Sequence, residues 1–139
     1  MLTLYTSRIG TYKGLDAIDI TVKSGDKRFA PQWEDVMRFK RGEISLDQYF
    51  HIYKDRMRAS YKKNRSAWRE MLNRQEATLL CYCPSPERCH RILLVEILQT
   101  LGEKVGVEVK YFGERPVTTK LSEQISETAT ECLQETLNF

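Results

Sequence analysis

Four short runs of strand-forming residues are separated by segments whose apolar residues recur every three or four positions, and this alternation leaves few folds open to the chain. The runs are Leu2 to Thr6, Ala17 to Val22, Ala77 to Tyr82, and the alternating Val105, Val107, Val109 and Tyr111. After the second run, the Ala30-Pro31-Gln32 junction predicts a helix through Trp33, Val36, Met37 and Phe39 that stops near Gly42. Ser45 with Gln48 matches a capping box, which predicts a helix from about Leu46 in one or two pieces, with an apolar stripe of Leu46, Tyr49, Phe50, Tyr53, Met57 and Tyr61. Ile92 to Leu101 has helical spacing and ends at Gly102, a natural left-handed cap. From Leu121, the apolar residues Ile125, Ala129, Cys132, Leu133 and Leu137 predict a last amphipathic helix whose other face is acidic. Strands alternating with helices predict an α/β fold: a mainly parallel sheet with helices on both faces, in Rossmann-like or flavodoxin-like layering. At 139 residues the chain fits one domain, with residues 1–113 forming the α/β unit and 114–139 an acidic helix packed on it.

In such sheets, ligands gather beyond the carboxyl ends of the strands. The run Cys81 to Arg91, CYCPSPERCHR, lies at such an end, where the third strand passes into a helix. An anion pocket suits its residues. Ser85 would cap the helix, Pro86 would take its first position, and Arg88, His90 and Arg91 would surround the helix N-terminus, with Cys89 between them. Tyr5, Ser7 and Arg8 from the end of the first strand would complete the pocket. Asp19, a carboxylate in an apolar strand, needs a partner, and an arginine of the site is the obvious one. The expected ligand is a small anion such as a nucleotide or a phosphorylated metabolite. For catalysis the candidates are His90, Cys89 and Asp19, but no third residue stands at a spacing diagnostic of a triad, so the sequence leaves open whether a reaction follows binding.

Two other chemistries compete for the same run. Cys83 and Arg88 are spaced as in loops that hold a cysteine nucleophile under a phosphate, although Pro84 and Pro86 remove backbone donors that such a cradle needs. Cys81, Cys83, Cys89 and His90 supply four ligands for tetrahedral zinc, but the spacing is unlike paired C-x-x-C, and adjacent helical side chains diverge by about 100°. No cofactor is expected on this reading, with zinc as the alternative. The plain alternative is a buried His90 bonded to a strand end, with Cys81 as core.

The segment Leu79-Leu80-Cys81 followed by Cys89-His90-Arg91 resembles the signature of domain-of-unknown-function family 488. Tyr5 to Gly10 (YTSRIG), the IDITV strand and Phe29 to Trp33 (FAPQW) resemble one branch of that family, so the likeness covers about Leu2 to Leu101. It implies an α/β fold and a site on the CHR turn, and carries no settled reaction. Two departures stand out: Cys83 occupies a position where many members are acidic, and Thr21 one where many carry arginine.

A net charge of +3 is too small to imply a nucleic-acid partner by itself. The distribution says more. From His51 to Arg74 eight cations face two carboxylates, a balance of +6, whereas Glu114 to Phe139 carries −3. Lys54, Arg58, Lys62, Lys63 and Arg65, interleaved with aromatics, make nucleic-acid binding or an interaction module the rival function. Pairing of basic and acidic helices between subunits would give a homodimer. No run is long and apolar enough to span a bilayer, there is no leader pattern, and the clustered cysteines read as reduced thiols, so the expected location is cytoplasmic.

Overall fold

The computed structural model describes residues 1–83 and 89–115. Strand β1 (Leu2–Arg8) lies inside the sheet with β3 (Glu76–Cys81) on one side and β4 (Val109–Glu114) on the other. The short β2 (Ala17–Asp19) forms the edge beyond β3, so the order is β2-β3-β1-β4, and every pairing is parallel. Parallel strands need crossovers, and the helices supply two of them. Helices α1 (Trp33–Lys40), α2 (Leu46–Lys63) and α3 (Arg65–Leu72) join β2 to β3, and α4 (His90–Val105) joins β3 to β4. The expected α/β fold with Rossmann-like or flavodoxin-like layering is the fold observed.

Side chains alternate across a strand, so Leu2 and Leu4, Ala77 and Leu79, and Val109 and Tyr111 share one face. That face forms the core with Tyr53 and Met57 of α2, Trp68, Met71 and Leu72 of α3, and Leu94 and Leu98 of α4. Thr6 belongs to it as well, and its hydroxyl meets that of Tyr111 at 2.6 Å within the core. On the opposite face Tyr5 stacks with Phe112, and the guanidinium of Arg115 lies 3.5 Å from the Tyr5 ring centre. Arg115 also pairs with Asp16 at 3.1 Å and with Glu76, closing the loop after β1 over this face.

The helix boundaries follow local chemistry. The capping box of α2 forms as expected, with Ser45 accepting from the Gln48 N–H and the Gln48 side chain accepting from the Ser45 N–H. The basic segment falls into two pieces, α2 and α3, meeting at Asn64. Helix α4 starts at His90 with Cys89 as its cap. At the other end it departs from expectation: the left-handed cap is Gly106, at φ 78°, and Gly102 lies inside the helix. Gly102 is needed there for another reason: a Cβ would come within 2.5 Å of the Val107 carbonyl oxygen. The predicted amphipathic helix from Leu121 lies outside the described residues, as do Ser85, Arg88 and the prolines between Cys83 and Cys89. Among the described residues, no helix is long and apolar enough to cross a membrane.

Candidate functional site

The in-register pairing of β1 with β3 sets Arg8 beside Cys81 at the carboxyl end of the sheet, where α4 begins. Three sulfurs converge at this end. Those of Cys81, Cys83 and Cys89 lie within 4.8 Å of one another, with Cys81 and Cys83 3.9 Å apart. Cys81 ends β3 and Cys83 follows two residues later. Cys89 has extended backbone, φ −114° and ψ 141°, and its sulfur accepts the N–H of Arg91 at 3.5 Å.

His90 is 4% exposed and lies against two of these sulfurs. Its Nε2 lies 2.8 Å from the carbonyl oxygen of Ile20, which can only accept, so Nε2 carries the proton and Nδ1 presents a lone pair. That lone pair faces Cys81 sulfur at 3.7 Å and Cys89 sulfur at 3.9 Å. Burial lowers the imidazole pKa, outweighing the Ile20 bond, which keeps the ring neutral. The thiols share their protons unequally. Hydrogen bonds from Cys81 and then Cys89 draw Cys83 far below the ordinary thiol range, the bond to Cys83 raises Cys81, and burial raises Cys89. Cys83, whose pKa is lowered, is also the most exposed of the three.

Arg91 is fully buried and already bonded. Its Nη1 donates to the carbonyl oxygen of Cys83 at 2.8 Å and its Nη2 to the Glu114 carboxylate at 2.6 Å. Burial works against its charge, but the Glu114 bond, together with the charges of Glu114 and of the neighbouring thiols, outweighs this and raises its pKa. Arg91 thus clamps the segment after β3 to the end of β4. A family model described as the active DUF488-N3 subclade, DUF488-N3a, matches residues 11–102, about two thirds of the chain. The chain belongs to the DUF488 family. The matched span holds all three clustered cysteines, His90 and Arg91 of this DUF488 protein, while the YTSRIG segment lies wholly before it. No curated protein and no solved structure matches.

The other residues expected at the site are placed differently. Asp19 is bonded not to an arginine but to its own loop: it accepts the Thr21 N–H at 2.8 Å and the Ser24 hydroxyl at 2.5 Å. Burial alone would raise its pKa, but these bonds, Ser24 first, lower it. This is a turn-closing aspartate, half-buried and short of the cluster. Ser7 is buried and donates to the Arg8 carbonyl, Arg8 is exposed, and Tyr5 is on the face covered by Arg115. Glu114 was not expected. A carboxylate closing the last strand of a parallel sheet, at the end where the other strands deliver an arginine, was the available signal.

Proposed function

We propose that this DUF488 protein holds a zinc ion at the β3–α4 turn, through the thiolates of Cys81, Cys83 and Cys89 and the Nδ1 of His90. The carrying observation is that three sulfurs lie within 4.8 Å of one another and the Nδ1 of His90 faces two of them, Cys81 and Cys89, while the far side of the imidazole is bonded to a backbone carbonyl. Zinc–ligand distances of about 2.3 Å to sulfur and about 2.0–2.1 Å to nitrogen imply tetrahedral edges of about 3.8 Å between sulfurs and about 3.6 Å from sulfur to nitrogen. The Cys81–Cys83 separation of 3.9 Å and the two sulfur–nitrogen separations of 3.7 and 3.9 Å fit those edges. A hydrogen bond from the outer ring nitrogen to a carbonyl or carboxylate oxygen is the usual way a metal-bound histidine is oriented. Neither objection from spacing applies to this geometry. Cys89 is an extended cap rather than a helical residue, so its side chain and that of His90 turn to the same side. Residues two apart at a strand end also share a side, which brings Cys83 to Cys81.

The description of the subclade as active supports a chemically competent centre. With three thiolates, zinc would carry a net negative charge, and the buried Arg91 beside it would offset that charge. Arg91 then positions the centre rather than binding a free anion. Cysteines kept reduced as ligands support a cytoplasmic setting. Elemental analysis of protein purified without added metal should find one zinc per chain. Cys81→Ser and Cys89→Ser should each lose it, and cobalt substitution should give thiolate-to-cobalt charge-transfer absorption. Metal-free wild-type protein with all its thiols titratable would overturn the proposal.

A further inference from the structure

Away from the turn, α2 and the second half of α4 enclose a cleft of about 600 Å³, within the roughly 300–1,000 Å³ typical of small-molecule sites. Its floor is apolar, made by Met57 and Tyr61 of α2 and by Ile97, Leu101 and Val105 of α4. Cations rim it. Lys54, Arg58 and Lys62 stand one helical turn apart along α2, and Lys104 faces them from α4. Arg58 pairs with Asp55 outside the cleft, whereas Lys54, Lys62 and Lys104 have no direct ion pair among the described residues. The carboxyls of the cleft are Glu96 and Glu103. Glu96 is half-buried, and its pKa is raised by burial against the opposing pull of Lys54.

We propose that this cleft binds a nucleotide, with the base on the floor beside Tyr61 and the phosphates along Lys54, Arg58 and Lys62. A fatty acid would use the floor and one cation, and would leave the remaining cations and Glu96 without partners. A nucleotide uses every part. A heterocycle covers the apolar floor, Glu96, Gln99 and Thr100 offer hydrogen bonds to its edge, and cations about 6 Å apart along the helix axis meet successive phosphates. Trp68 lines the base of the cleft but is 0% exposed, and Tyr53 is 1% exposed and belongs to the core, so extended stacking of several bases has no platform here. The unit recognised is one nucleotide, either free or within a strand. This site is independent of the proposed zinc centre.

Calorimetric titration of the full chain at low salt with a purine nucleoside triphosphate, inorganic tripolyphosphate and a trinucleotide tests the assignment. The triphosphate or the trinucleotide should bind at least about tenfold more tightly than tripolyphosphate, and the stronger of the two identifies a free or a strand-borne source. The Arg58→Glu/Lys62→Glu double variant should weaken nucleotide binding by about tenfold or more. Val105→Trp alters a residue that is 50% exposed, so it should leave the circular dichroism unchanged while filling the cleft and abolishing the preference for nucleotide over tripolyphosphate. Equal affinity for tripolyphosphate and nucleotide in the wild type, no binding of either nucleotide at millimolar concentration, or unchanged binding in both variants would overturn it.

Discussion

Asp16 shows how much a single carboxylate can organise. It accepts hydrogen bonds from Tyr12 and Thr78, at 2.5 and 2.6 Å, and pairs with Arg115 at 3.1 Å. Burial pushes its pKa upward, but the bonds from Thr78, Tyr12 and Arg115 together win and lower it. A carboxyl depressed in the folded state adds stability above its unfolded pKa, and that stability is lost as the pH falls through the folded value. Asp16→Asn should therefore lower stability by about 1–3 kcal/mol in urea titrations near neutral pH. The gap between wild type and variant should close as the pH drops well below the usual carboxylate value of about 3.9, and a gap independent of pH would contradict the assigned role. None of this was legible in the sequence, because Asp16, Thr78 and Arg115 come from three distant segments, and it takes the parallel registers of β2 on β3 and of β4 on β1 to bring them together. For Asp19 the sequence suggested the need for a partner, but local bonds to Thr21 and Ser24 met that need at lower entropic cost than a distant arginine.

Among the elements, the existence of four strands and the start of α2 were legible because alternation and the Ser45–Gln48 box are local signals, but β2 stops at Asp19 rather than Val22, and Val105 ends α4, so the last strand begins only at Val109. The limits of α4 were not. Gly102 and Gly106 both suit a cap, and the choice depends on the Val107 carbonyl packing against Gly102, a tertiary contact. Gly102→Ala should force that contact apart and cost about 1–3 kcal/mol, read as a lowered Tm. At the N-terminus, α4 begins where the Cys89 sulfur accepts the Arg91 N–H, a cap role that no local sequence signal marks. Cys89 also bears on the cluster: placed inside the helix, its side chain and that of His90 would diverge, whereas as an extended cap it brings its sulfur to 3.9 Å from the His90 Nδ1.

For the molecule as a whole, the turn ties together three segments: Cys81 and Cys83 from the end of β3, His90 anchored to Ile20 after β2, and Arg91 bonded to Glu114 of β4. A zinc ion there would be a ligand of the native state, so its binding free energy would add to folding free energy. Treatment with a strong chelator should lower the Tm of the wild type, whereas Cys89→Ser, already without metal, should melt at the same temperature with or without chelator.

The sheet order has a consequence for how the chain reaches this state. β1 is made first, yet its partners are Glu76–Cys81 and Val109–Glu114, so Leu2 and Leu4 have no strand to pair with until most of the chain has left the ribosome. At about 5–20 residues per second, that is several seconds of waiting for an apolar segment. Folding should consequently be slow for a chain of this size, limited by long-range pairing, and sensitive in the cell to whatever protects nascent chains during that interval.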